Sequence, residues 1–381
     1  MLAQTPPMGW NTWNTFARNI NEQLIRETAD AMVDLGYRDA GYEYVIIDDC
    51  WSEPERDAND RLVASHEKFP SGIKALADYV HGKGLKLGLY SDAGVRTCGG
   101  FPGSFDHEYE DARQFAEWGV DYLKYDFCNF PDSADNTTRY LTMSMALHAC
   151  GREILFSACN WGRREPWNWM RSVGAHMYRS DTDIRATYPS MADIIRNQCK
   201  NLNANAAGCF NDLDMLTVGM PHDRLLVTAP PCTETEYTTE FAFWCMASSP
   251  LIMGSDIRAT EEKYRLLLQH KGLIAINQDP LCRPPFLAKG TFWDESGNRD
   301  TYILLKFLSG GEFALGFFNL NDAARGMECI FADCGISYRA DRAVRLTDVL
   351  TGETLGIRKD EIRLSVPAHG CRVLRGKVVT L

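Results

Sequence analysis

Asp121-Tyr-Leu-Lys-Tyr-Asp-Phe-Cys128 is the stretch whose reading decides the fold. It is a short aromatic and aliphatic run, and the segment before it, 109–119, has helical spacing. Successive side chains of a strand point to opposite faces, so Lys124, Asp126 and Cys128 share one face and Leu123, Tyr125 and Phe127 the other. Two opposite charges on the inner face of an otherwise apolar strand are costly unless both are used. One reading is a buried structural ion pair. The other is a reactive carboxylate at the carboxyl end of a barrel strand.

Outward from that strand, the same alternation runs in both directions. Upstream lie the apolar Met8–Trp10, a helical 22–35, a strand over 42–49 that ends in Asp48-Asp49, a helical 72–83 stopped by Gly84, a strand over 85–90 and a helical 108–118. Downstream, the spacing predicts helices over 138–149, 166–173, 191–202, 234–247 and 261–270. Strands are predicted over 154–158, 176–179 and 251–253, with a short one near Cys209-Phe210. Eight strand–helix units predict an α/β fold, a (β/α)8 TIM barrel over residues 1–280. A doubly wound open sheet is the alternative, but no GxGxxG or phosphate-binding loop follows any strand. Beyond Asn277-Gln-Asp-Pro280 the helical periodicity fades. Short apolar runs at 302–307, 313–318, 343–350 and 371–374, separated by Gly, Asn and Asp turns, predict a small antiparallel, β-sandwich-like domain over 287–381, with Pro284-Pro285 as the hinge.

The net charge of −11 argues against a nucleic-acid partner or an anionic membrane surface and suits a neutral small substrate. There is no run of about 18 apolar residues, so no membrane span is expected. The opening MLAQTPPMGW lacks the basic and apolar regions of a signal segment, so the expectation is a cytoplasmic protein, or a secreted one whose signal has been trimmed. The 13 cysteines are scattered without a CxxC pair, and the histidines form no HxH or HExxH. No metal or other cofactor is therefore expected.

In a barrel enzyme the chemistry sits at the carboxyl ends of the strands. Strand by strand, this chain places there Trp10 and Trp13; Asp48, Asp49 and Trp51; Tyr90 and Asp92; Lys124 and Asp126; Asn160 and Trp161; Arg179, Asp181 and Asp183; Asn211, Asp212 and Asp214; and Asp256 and Arg258. Any one of them is equally well explained as a helix cap or a solvated loop charge. Carboxylates after so many strands, interleaved with aromatic side chains, point to glycoside hydrolysis or to a divalent-metal site of Asp and Glu ligands. Lys124 favours the first, because a cation two residues before Asp126 holds it ionised and crowds out a metal.

The segments PPMGWNTWNTF, YVIIDDCW, GLKLGLYSDAG, FPGSFDHEYEDARQFAEWGVDYLKYDFC, FNDLDML and SPLIMGSDIR…IAINQDPL together resemble glycoside hydrolase family 27, the α-galactosidase and α-N-acetylgalactosaminidase family, in order and spacing from Pro6 to Cys282. The resemblance implies a (β/α)8 barrel with a C-terminal antiparallel β domain. It also implies metal-independent, retaining release of terminal α-linked D-galactose from an oligosaccharide or glycoconjugate, through a covalent glycosyl-aspartate. By the family's LKxD motif the nucleophile falls on Asp126. By Tyr178-Arg-Ser-Asp-Thr-Asp-Ile184 the general acid/base falls on Asp183, with Asp181 as its rival. Sugar-binding positions fall on Trp13, Asp48, Asp49, Tyr90, Lys124 and Arg179, with the paired aspartates holding the 4- and 6-hydroxyls. Asp126 beside Lys124 should then be ionised, and Asp183 must carry a proton when the leaving oxygen departs.

The chain departs from the family's pattern after the fifth strand. Cys159-Asn-Trp-Gly-Arg-Arg164 has Asn160 where family galactosidases tend to carry a carboxylate and N-acetylgalactosaminidases a serine. Asn160 suits either a 2-hydroxyl or an acetamido oxygen, while Arg163, which is not small, leans toward unsubstituted galactose unless its loop turns it outward. A β-L-arabinopyranosidase is the third alternative, disfavoured by Asp48. A non-catalytic galactose-binding protein is disfavoured by the intact Asp126 and Asp183. Cys98 and Cys128 match a family disulfide that braces the site, so their Cα atoms are expected within about 7 Å. Cys50 and Cys159 match disulfide positions whose partners here are Arg18 and Ala175.

Overall fold

The computed structural model describes residues 2–290, 300–336 and 339–381. Eight parallel strands, β1 (Met8–Asn11), β2 (Tyr44–Ile47), β3 (Lys86–Asp92), β4 (Tyr122–Asp126), β5 (Leu155–Cys159), β6 (Met177–Arg179), β7 (Phe210–Asp212) and β8 (Leu251–Met253), follow one another in the order β7-β6-β5-β4-β3-β2-β1-β8. A parallel bridge from Leu216 to Met253 closes the barrel. Strand alternation sorts the side chains as expected. Tyr44, Ile46, Tyr122, Leu155, Met177, Met215 and Ile252 fill the interior, while Val45, Ile47, Leu89, Leu123 and Tyr125 face the helices. Above that plug the register sets polar residues side by side: Tyr90 opposite Lys124 and Asp92 opposite Asp126, then Cys159 opposite Arg179 and Arg179 opposite Asp212.

Two helices differ from the sequence reading. The segment 166–173 holds only a single 3-10 turn, Pro166–Asn168, entered through Glu165 in the left-handed region without a side-chain cap. Trp169 folds back there, its indole donating to the Arg164 carbonyl at 2.9 Å and packing edge-on against Tyr140. Aromatic anchoring overrides helical spacing at this point. The last helix is two, Glu262–Leu268 and Lys271–Asn277, separated at His270, whose ring caps Leu273.

The C-terminal part is an antiparallel six-stranded sheet, built from β9 (Phe286–Gly290), β10 (Thr301–Leu308), β11 (Glu312–Asn319), β13 (Arg342–Asp348), β14 (Thr354–Arg358) and β16 (Cys371–Thr380). The pair β12 (Arg325–Ile330) and β15 (Glu361–Val366) lies over it. The strands β9, β12, β14 and β15 are absent from the sequence reading, because short runs such as Glu-Ile-Arg-Leu-Ser-Val carry too few apolar residues to stand out. Period-two alternation in β10 splits the sheet's two faces. Ile303 and Leu305 join Met327, Cys329 and Ile362 in the domain's own core, whereas Tyr302 and Leu304 join the barrel core. Lys306, buried on the same face, donates to the Ile276 carbonyl at 2.6 Å, tying the sheet to the end of the helix Lys271–Asn277. Among the described residues, no helix is long and apolar enough to cross a membrane.

Candidate active site

At the carboxyl ends of the strands lies a cavity of about 110 Å³, walled by Trp13, Asp48, Asp49, Tyr90, Cys98, Lys124, Asp126, Trp161, Arg179, Asp183, Asp214 and Arg224, among others. A larger cleft, about 420 Å³, sits at the opposite end of β5 and β6 beside His148 and His176 and has no paired carboxylates. The smaller cavity is the candidate active site, because the charges converge there.

The floor is built by β2, β3 and β4. Asp48 accepts from the Asn11 amide at 2.7 Å and from the Lys124 ammonium at 2.8 Å. Lys124 therefore touches Asp48 and favours the ionised form of Asp126 through its field, rather than through a direct ion pair. Asp48 and Asp126 together hold its ammonium protonated against the pull of burial. Asp49 accepts from the backbone N–H groups of Cys50 and Gly99, both at 2.6 Å. A Cβ on Gly99 would come within 2.7 Å of the Cys50 sulfur and 2.9 Å of that carboxylate, so glycine lets the loop close over it without displacing either side chain. Burial nevertheless raises Asp49 above the usual carboxylate range.

Asp126 is 5% exposed. It accepts from the Tyr90 hydroxyl at 3.1 Å and from the Phe127 N–H at 3.0 Å. Burial pushes it up to about 6 against the pull of Lys124, and Asp183 and Asp48 add to the rise. Asp183 stands on the rim after β6 with its side chain 55% exposed, 3.1 Å from Arg179. Partial burial acts upward on it, but Arg179 and then Lys124 outweigh that and hold it below the usual range. Arg179 is itself fixed from below by Asp214 at 2.9 Å. The rival Asp181 turns away, accepting from the N–H of Thr182 and from Gln198.

The Cys98–Cys128 pair is a disulfide with its Cα atoms 5.0 Å apart. The loop after β3 reaches the loop after β4 because residue 94 is glycine; a Cβ there would lie 1.9 Å from the Cys128 carbonyl. Cys98 lines the cavity, and Cys128 braces it from behind. Cys50 and Cys159 are free and buried. Asp92, Cys98, Asp126 and Cys128 offer ligand atoms within 4.8 Å of one another. The disulfide consumes both thiols, however, and the two carboxylates share the Tyr90 hydroxyl, so this donor set does not fit a metal.

Asn160 is the residue that the structure withholds from the cavity. It is fully buried, and its amide donates to the Arg163 carbonyl at 2.6 Å, closing the turn Asn160–Arg163. Just past the end of β5, Trp161 takes a left-handed conformation and walls the cavity instead. Arg163 points outward, its guanidinium 5.1 Å from the Trp161 ring, and does not wall the site. Arg258 pairs with Asp256 and with Glu27, away from the site. The sequence reading missed Asp214 and Arg224 as wall residues. Asp214 was already at the end of the seventh strand; Arg224 lies far along a loop and reaches the site by stacking on Trp13, 4.7 Å from the ring centre.

Residues 5–279 match the family described as alpha galactosidase A, and residues 298–375 match the alpha galactosidase C-terminal beta sandwich domain. The chain is 42% identical to alpha-galactosidase A of Cellvibrio japonicus, over 98% of this chain and 92% of that one. Its structure is similar to alpha-galactosidase I of Mortierella vinacea, with a TM-score of 0.90 at 34% identity and coverage of 98% and 97% of the two chains. It is also similar to the Saccharomyces cerevisiae alpha-galactosidase solved with raffinose, with a TM-score of 0.91 at 28% identity and coverage of 99% and 98%.

Proposed function

The chain belongs to the α-galactosidase family, glycoside hydrolase family 27, and from that premise we propose that it releases terminal α-linked D-galactose from oligosaccharides with retention of configuration. One observation carries the reading. Two carboxylates wall one small cavity, Asp126 buried in its floor and Asp183 exposed on its rim. Asp126 attacks the anomeric carbon from the floor while Asp183 gives its proton to the departing glycosidic oxygen. In the second half-reaction Asp183 takes a proton from water, which displaces Asp126.

Burial raises Asp126, while the Arg179 guanidinium holds Asp183 below the usual range. A close carboxylate pair holding a single proton has two tautomers, and the productive one carries the proton on Asp183. A glycosidic oxygen accepting from Asp183 favours that tautomer, so sugar binding itself sets the roles.

The Trp161 indole on the β5 side supports an unsubstituted 2-hydroxyl over a bulky acetamido group. The yeast relative's raffinose complex supports a polar oligosaccharide as substrate. A panel of nitrophenyl α-galactoside, α-N-acetylgalactosaminide and β-L-arabinopyranoside tests the reading. The galactoside is expected to give the highest kcat/KM, and preference for either of the others overturns it.

A further inference from the structure

Asp92 is fully buried, and the reaction derived above does not use it. One of its oxygens accepts from the Gly94 N–H at 2.7 Å; the other lies 3.0 Å from the Cys128 N–H and 3.2 Å from the Tyr90 hydroxyl. The same hydroxyl is 3.1 Å from Asp126, the proposed nucleophile. A tyrosine hydroxyl has one proton to give, so it cannot donate to two ionised carboxylates at once. One of the two must itself carry a proton and donate to the tyrosine oxygen.

We propose that Asp92 is that acid: a positioning residue, permanently neutral, that donates to Tyr90 so that the Tyr90 proton is committed to Asp126. The inference rests on the reading of Asp126 as nucleophile. Burial is the first reason for the assignment. Asp92 is sealed in, whereas Asp126 opens on the cavity and feels Lys124. The titratable groups acting on or acted on by Asp92 are Asp126 across the β3–β4 register, Tyr90 on its own strand, and the phenols of Tyr125 and Tyr140, with the disulfide sulfurs within 4.8 Å. Burial and then Asp126 push its carboxyl well above the usual range. A chain of two hydrogen bonds, each polarising the next, then favours the ionised form of Asp126 and eases its departure from the glycosyl-enzyme.

The test pairs a substrate-free measurement with kinetics. In wild-type enzyme carrying carbon-13 at the aspartate carboxyls, one carboxyl is expected to keep the chemical shift of a neutral acid at about pH 8, above the range where Asp126 titrates. If every aspartate is ionised there, the proposal is overturned, whatever the substrate proves to be. Tyr90→Phe cuts the chain, so Asp126 becomes more basic. The alkaline limb of kcat/KM should move up by about one pH unit while the plateau falls. Asp92→Asn, a neutral but weaker donor, should move the limb the same way by about half as much, and should add nothing further when combined with Tyr90→Phe. A limb that stays put or moves down in Asp92→Asn overturns the proposal, since a downward shift means that a negative charge was removed. Full additivity in the double variant overturns it as well.

Discussion

The ends of β4 and β6 carry the two carboxylates of the site, and they are built in opposite ways. Asp126 ends a strand whose register against β3 is continuous to its last residue, so its position is fixed by the sheet. Asp183 lies beyond β6 on a loop, held by a guanidinium that Asp214 anchors in turn. The floor residue is shielded from solvent and costly to ionise; the rim residue is exposed and easy to ionise. A nucleophile gains from fixed geometry more than from exposure, whereas an acid that must hand a proton outward and then take one from water needs access to solvent. The contrast teaches that position, not resting charge, separates the two roles.

The most severe way to break that comparison is Asp126→Asn, expected to lower kcat by about 10⁵-fold or more on any galactoside. Asp183→Asn should cost about 10²- to 10⁴-fold with a poor leaving group and far less with nitrophenol, which departs without a proton. Azide sharpens the distinction. Added to Asp126→Ala it should attack from the vacated floor and give the β-galactosyl azide, while with Asp183→Ala it should intercept the glycosyl-enzyme and give the α product. Identical products from both variants would dissolve the assignment.

Next in size is the pH dependence of the unaltered enzyme. The pair must hold one proton, and its last proton leaves with Asp126 at about 6. Activity at low substrate should therefore fall by about tenfold per pH unit above that point, and should fall again in acid once Asp183 and Asp126 are both protonated. A kcat/KM profile flat from about pH 6 to 8 would contradict the coupling.

Smaller effects separate the two neighbours at the end of β5. Trp161→Ala, which opens the wall, should lower kcat/KM for galactoside by about tenfold and narrow the gap to the N-acetyl sugar. Asn160→Ala should leave that ratio alone and cost about 1 kcal/mol of stability, seen in denaturant unfolding, because it removes one buried hydrogen bond.

Much of this was legible in the sequence because strands and barrels convert order into position. Period-two alternation placed Lys124 and Asp126 on one face, whereas Cys128 lies in the turn beyond the strand. The recurrence of strand and helix set out the barrel, and the motif order supplied the family. The sequence alone thus determined the fold class, the family and which carboxylates stand at strand ends. It could not determine which partner each charge takes, since that depends on register between strands and on loops that meet only in space. Lys124 reaches across to Asp48, Asn160 turns inward while Trp161 faces the cavity, Arg224 arrives from a loop remote in sequence, and one tyrosine hydroxyl falls between Asp92 and Asp126. Hydrogen bonds and burial, which set the protonation of each group, are properties of those encounters, and only the tertiary structure decided them.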